Sequence, residues 1–365
     1  MKETWQWFGP QDPVSLDHVR QAGAAGVVSA LHHLYRGEVW PLDEVHERKA
    51  EIEAAGLTWS WSVVESIPIH NSIKLQSGPF RQFTDAWKDS LSAIVQAGVK
   101  IVCYNFMPVA EWTRTDLRWQ LPSTGYALRF DVSDVAAYDV FILQRVGAEG
   151  DYPEERVAAA RARFEAMSED RRNELEQTII AGLPGSEGFY DRGTLREPID
   201  QYKNVSTSEL CGHLISFLRE VAPVAEELGV RLAIHRDDPP WPLFGLPRVV
   251  STAEDARSIL AGVDTAANGL TLCVGSYGAR ADNDLLRMVN EFSLCIYFVH
   301  LRQVMREADG SFYEAEHLHG SSDIVGVISA VLKEEARPRK QNRLDGEIPC
   351  VPITGACWLM TSDGR

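Results

Sequence analysis

Short apolar, β-branched runs recur along this chain, separated by longer amphipathic stretches. That alternation constrains the fold most, because a strand covered on both faces reads as a continuous apolar run and the following helix does the covering. Eight runs qualify: Thr4–Phe8, Val27–Leu31, Leu57–Val64, Lys100–Asn105, Val230–His235, Leu270–Val274, Cys295–Leu301 and Glu347–Val351. Helical periodicity predicts helices over Ser15–Ala24, Asp43–Ala55, Phe80–Gln96, Ser208–Leu228, Thr252–Leu260, Asp282–Phe292 and Ser322–Glu335. The Thr252-Ala-Glu-Asp and Ser322-Ser-Asp openings have the chemistry of helix N-termini. Eight strands with seven intervening helices predict an α/β fold, a (β/α)8 TIM barrel whose closing helix is missing.

A single barrel domain over residues 1–365 accommodates the length. Residues 106–206 are too long for a simple connection and read as a mainly helical insertion after the fourth strand, with a charged helical run at Pro153–Leu183. A lid or oligomer arm over the barrel mouth and a solvated elaboration fit that insertion equally well, and homo-oligomerisation stays open. With 36 Lys and Arg against 52 Asp and Glu, the formal charge of −16 argues against nucleic acid and against an anionic membrane surface. A small anion is still admissible, since arginines in a pocket override the global sign locally. The N-terminus lacks a signal-peptide core and no run has the length of a membrane helix, so a cytoplasmic protein is expected. The six cysteines form no C-x-x-C pair and read as buried thiols.

In barrels of this kind, reactive groups lie where strands end. His235 ends the fifth predicted strand, while Cys273 and His300 lie near the ends of the next two. The intervals of 38 and 27 residues are each close to one βα unit. Three successive strands would then place His, Cys and His on one rim, a donor set suited to a divalent transition metal. Each residue alone reads equally as a packed strand-end side chain. Asp237 and Asp238 either orient a ligand or bind a substrate hydroxyl, or else serve the turn before Pro239. Arg302 shares the facing of His300 and can clamp a carboxylate, or form a surface ion pair. Glu65 and His70 bracket a rim loop after the third strand, and Asn105 begins another after the fourth; these are substrate contacts or turn chemistry.

Several runs together resemble the mannonate dehydratase family, in the xylose-isomerase-like group of barrels. They include Val64-Glu-Ser-Ile-Pro-Ile-His, Val102-Cys-Tyr-Asn-Phe-Met-Pro, Trp112-Thr-Arg-Thr-Asp-Leu, Leu270-Thr-Leu-Cys-Val-Gly-Ser and the stretch from Asp237 to Arg248. The resemblance covers the chain from Trp5 to about Pro349. It implies Mn2+ or Fe2+ held by His235, Cys273, His300 and an Asp on the last strand. It also implies dehydration of D-mannonate to 2-dehydro-3-deoxy-D-gluconate in hexuronate (glucuronate) catabolism. Glu65, His70, Asn105, Asp237 and Arg302 are then the expected contacts to a sugar-acid substrate.

The sequence departs from the family pattern at Arg236 (Pro), Gln303 (Asn), Glu111 (Asp) and Leu34-Tyr35 (Ile-Pro). Its end departs further. Where the family has Arg-Pro-Asp-His-Gly-Arg, with a Tyr beyond, this chain continues Cys350-Val-Pro-Ile-Thr-Gly-Ala-Cys-Trp. Codons permitted for that run, read from the third base, encode Arg-Pro-Asp-His-Gly-Arg-Met. Residues 350–365 therefore read as a frameshifted tail that lacks the family's acid–base residues, leaving the catalytic residues unassigned and impaired activity expected. A xylose-isomerase-like isomerase or epimerase and an inactive sugar-acid-binding remnant are the alternatives.

Overall fold

The computed structural model describes residues 1–56, 61–180, 192–336, 347–353 and 356–357. Eight parallel strands close into a barrel: β1 Lys2–Gln6, β2 Gly26–Ser29, β3 Trp61–Glu65, β4 Ile101–Tyr104, β5 Arg231–Ile234, β6 Asn268–Cys273, β7 Ile296–Arg302 and β8 Pro349–Ile353. All eight expected runs supply a strand. The first and last are displaced by two residues, and residues 57–60 of the third expected run lie outside the described residues. β8 closes the barrel by pairing with β7 from Cys350↔Val299 to Ile353↔Arg302 and with β1 at Lys2↔Pro349.

Side chains alternate between two buried layers, as strands covered on both faces require. Val28, Val63, Ile101, Phe298 and Val351 pack together inside the barrel. The opposite faces join a larger core beneath the helices. The helix Phe80–Gln96 matches its expected bounds and buries Trp87, Leu91 and Ile94, spaced one turn apart. The Thr252 opening is a capping box with Asp255, and Ser206 and Glu209 form another before the helix Thr207–Glu227.

The insertion is less uniformly helical than expected. It begins with a hairpin, Asp116–Gln120 and Tyr126–Phe130, which joins Phe312–Glu314 and Val304–Arg306 in a second sheet. These strands span only three to five positions, and only Asp116–Gln120 alternates polar and apolar residues throughout, too little to stand out from loops. The charged run forms two helices, Glu154–Ala166 and Glu169–Ile180; its residues 181–183 lie outside the described residues. Among the described residues no helix follows β8. The two-residue strand Ala356–Cys357 pairs with Tyr126–Ala127 of the hairpin, and residues 354–355 and 358–365 of the expected tail lie outside the described residues. No described helix is long and apolar enough to cross a membrane.

Candidate metal centre and cavity

Three neighbouring strands deliver His235, Cys273 and His300 to one point. His235 follows β5, and its backbone N–H donates to the Tyr104 carbonyl at 2.6 Å. Cys273 is the last residue of β6, paired in register with His300 of β7. One donor atom from each side chain lies within 4.8 Å of the other two. The imidazoles of His235 and His300 are 5.0 Å apart between ring centres. His235 Nδ1–H donates to the Arg236 carbonyl at 2.7 Å, because a carbonyl can only accept. That bond fixes the tautomer and leaves the Nε2 lone pair free.

The electrostatics of the cluster are those of tightly paired buried charges. Burial alone would raise the Cys273 thiol, but His235 and His300 outweigh it and hold it well below its ordinary value. Burial would lower His300, yet Glu65 and Cys273 push it up to about 10. Glu65, opposed by its own burial, is brought down to about 2 by His300 and His235. Cys103 goes the other way: burial and the neighbouring Glu65 push its thiol well up. The two thiols are thus shifted in opposite directions, Cys273 by facing imidazoles and Cys103 by burial beside a carboxylate.

A cavity of about 440 Å3 opens above the cluster, within the range of small-molecule sites. Glu65, Asn105, Asp238, Arg302 and the three cluster residues line it, with Trp5, Phe8, Leu31 and Trp112 among its apolar walls. Glu111, Trp112 and Leu128 come from the first part of the insertion, so its hairpin belongs to the site, whereas the helices Glu154–Ala166 and Glu169–Ile180 supply no lining residue. β8 contributes only Pro352 and Ile353. Asn105 Nδ2 donates to Glu111 Oε2 at 3.3 Å, and the fully buried Lys74 ammonium donates to the Met107 carbonyl at 3.0 Å.

Three expected substrate contacts are placed differently. His70 does not line the cavity; it caps the helix Asn71–Leu75 through Nδ1 and stacks on Phe83 at 3.7 Å. Asp237 is also outside it, accepting from Val250 N and Ser251 Oγ, both at 2.8 Å, which is the turn-building alternative. Arg302 does face the cavity, but its guanidinium is already engaged. Nε and Nη2 form a fork on Glu314 at 2.8 and 2.6 Å, while Nη1 donates to Ser276 Oγ at 2.7 Å and to Asp238. Arg114, fully buried, donates to the same two carboxylates, to Asp238 at 3.0 Å and to Glu314 at 2.8 Å. Two guanidiniums and two carboxylates thus form a closed, charge-balanced square under the cavity. Burial opposes the charge on Asp238, but Arg114 and Arg302 hold its carboxyl far below its usual range.

Reasoning from sequence missed two members of that square, Arg114 and Glu314. Arg114 lay within a run that resembled the family but had no role assigned, and Glu314 belongs to a strand too short to show periodicity. It also passed over His32, a cavity-lining residue whose two ring nitrogens are buried without a hydrogen-bond partner. Burial and the nearby Arg48 lower His32 to about 4. Arg236, where the family pattern has Pro, is fully buried over the Tyr277 ring at 4.5 Å. Burial brings its guanidinium down to about 10.

Comparison with known proteins agrees with the geometry. The family description D-mannonate dehydratase (UxuA) matches residues 1–352. A mannonate dehydratase of Saccharophagus degradans and mannonate dehydratase 2 of Agrobacterium fabrum are each 54% identical over 97% of this chain and 89% of their own length. The crystal structure of a mannonate dehydratase from Streptococcus suis serotype 2 superposes with a TM-score of 0.76 at 29% identity, covering 100% of this chain and 88% of that one. A D-tagatose 3-epimerase-like protein, at 12% identity and a TM-score of 0.52 over 97% of this chain and 90% of its own, shares the fold alone. The impairment expected from the altered tail is not borne out, since the match extends to residue 352 and the relatives align over 97% of the chain. The chain belongs to the mannonate dehydratase family.

Proposed function

We propose that the chain holds one Mn2+ or Fe2+ through His235, Cys273 and His300, and dehydrates D-mannonate there to 2-dehydro-3-deoxy-D-gluconate. The observation that carries this reading is the convergence of the three donor atoms within 4.8 Å at the ends of three adjacent strands. The residues fit such an ion. A thiolate with two imidazoles suits a borderline divalent metal, His235 presents a free Nε2, and His300 Nε2 is buried without a hydrogen-bond partner. When bound, the ion supplies Lewis-acid stabilisation of the charge that develops as the C2 proton leaves.

The remaining work falls to the chain. Apolar walls from Trp5, Phe8, Leu31 and Trp112 keep bulk water from the reacting carbons. Asn105, Glu111 and Glu65 offer hydrogen-bond partners to substrate hydroxyls. His32, held neutral by burial and without an internal hydrogen bond at either ring nitrogen, offers a hydrogen-bond partner to a substrate hydroxyl on the cavity wall. Loss of the C2 proton and departure of the protonated C3 hydroxyl as water leave an enol, which tautomerises to the 2-keto acid. The thiols of Cys103, Cys211 and Cys350 support a reducing, cytoplasmic setting.

The test is to strip the protein with a chelator, measure 2-keto acid formation from D-mannonate, and restore Mn2+. Activity should vanish and return, and the double variant Cys273→Ala, His300→Ala should bind Mn2+ at least 10-fold more weakly, the scale on which metal sites respond to lost support. Equal Mn2+ affinity in wild type and the double variant would sink the assignment.

A further inference from the structure

The loop after β4 carries a strained turn. Val109 has φ +55°, a left-handed conformation that a β-branched side chain strongly disfavours. The Ala110 N–H donates to the Pro108 carbonyl at 2.6 Å, closing a γ-turn around Val109 in the rare form whose central residue has positive φ. Such backbone persists only where its surroundings impose it, and it collects beside functional sites. Here the surroundings are visible. Before the turn, the Lys74 ammonium donates to the Met107 carbonyl at 3.0 Å. Within it, Arg248 Nη2 donates to the Ala110 carbonyl at 2.6 Å. After it, Trp112 forms a β-bridge with Asp238.

Arg248 is the unexplained member of this set. It is buried, and its Nε and Nη1 are covered and without a hydrogen-bond partner. Among the described residues, the bond to Ala110 is its only hydrogen bond. Burying a guanidinium on one bond works against stability, so stability does not account for it. Its placement is nevertheless built: Asp237 accepts from Val250 N and Ser251 Oγ at 2.8 Å, fixing the segment that carries Arg248. What its bond controls lies next door, because Met107, Glu111 and Trp112, on either side of the turn, line the cavity. A turn that relaxed to negative φ would redirect the chain there and carry Glu111 and Trp112 with it.

We propose that Arg248 is a positioning residue: by holding the Ala110 carbonyl it keeps the Val109 turn in its strained form and sets Glu111 and Trp112 on the cavity wall. Its effect on turnover rests on the dehydratase reading above. The test uses the full chain with Mn2+ and D-mannonate, with Arg248→Met made alone and together with Val109→Gly or Val109→Ala. Arg248→Met alone should lower kcat/KM about 10–100-fold, the scale of a small misplacement of groups at a site. Glycine adopts positive φ freely, so in the Val109→Gly background the same change should cost less than about 3-fold. Val109→Ala loses packing as well but keeps a Cβ, and should leave the loss nearly full. A role in stability alone would not depend on residue 109 in this way. If Arg248→Met does not fold, the shorter Arg248→Gln takes its place. Amide exchange over residues 107–113, read by mass spectrometry, is independent of activity and should quicken in Arg248→Met. An equal loss in all three backgrounds, or unchanged activity and exchange in Arg248→Met, overturns the proposal. A wild type that leaves D-mannonate untouched overturns the dehydratase reading instead, and exchange alone then decides whether Arg248 holds the turn.

Discussion

Arg302→Lys separates two roles for Arg302 that sequence alone leaves equivalent. If Arg302 clamps the substrate carboxylate, the change should weaken substrate binding and leave stability nearly alone. The structure supports a different outcome. Arg302 donates through three nitrogens to Glu314, Ser276 and Asp238 at once. A lysine ammonium is a single point with no planar fork, so it cannot span Glu314 and Asp238 together. At least two charge-assisted hydrogen bonds are lost, each worth about 1.5–3 kcal/mol. One carboxylate is left short of its partner in a site where breaking a buried pair costs about 3–5 kcal/mol. Retained positive charge puts the expected loss near the lower end, about 3 kcal/mol. Urea denaturation of metal-free wild type and variant measures it directly, since neither substrate nor metal then contributes. Steady-state kinetics on D-mannonate completes the comparison. A stability loss under 1 kcal/mol accompanied by a raised KM and unchanged kcat would refute the structural role and return Arg302 to the substrate.

Two further outcomes follow from the same surroundings. Gly275→Ala should destabilise the fold by about 1–3 kcal/mol in thermal or urea unfolding, because a Cβ there would stand 2.7 Å from Arg302 Cγ, in the stem and not at its mobile tip. His32 falls from an ordinary 6.5 to about 4 in the folded protein, so the unfolded chain binds the extra proton between those values. Wild-type stability should therefore decline as pH falls from 6.5 to 4, and His32→Gln should remove about 3 kcal/mol of that decline. Matching slopes for wild type and variant would show that the His32 ring is not held neutral.

The barrel was legible because its signal is redundant. Most of the eight strands are apolar on both faces, and the helices between them carry apolar stripes at helical spacing, so an error of two residues at Lys2–Gln6 or Pro349–Ile353 does not alter the topology. The second sheet had no such redundancy. Two short local hairpins, one ending in Tyr126–Phe130 and one in Phe312–Glu314, join into a single sheet only through each other, 182 residues apart at the pair Phe130↔Phe312. Pairing between distant short segments leaves no periodic trace in either.

The same distinction divides the site. His235, Cys273 and His300 were readable because the fold itself repeats about every 30 residues and brings successive strand ends together. Arg302 and Asp237 were readable as positions but not as roles. Facing follows from alternation along a strand, whereas what a guanidinium touches depends on which acids arrive from elsewhere. Glu314 arrives on the hairpin after β7, and Arg114 comes from the insertion. Once both are present, Asp238 and Glu314 already satisfy Arg302, and a substrate carboxylate would have to displace one of them. Asp237 and Asp238 are adjacent in the chain, yet Asp237 turns to Val250 and Ser251 and Asp238 to the two arginines. Identical side chains at neighbouring positions acquire opposite duties from their partners. The local sequence could name the pair, but only the tertiary contacts could assign one to the turn and the other to the charge square beneath the cavity.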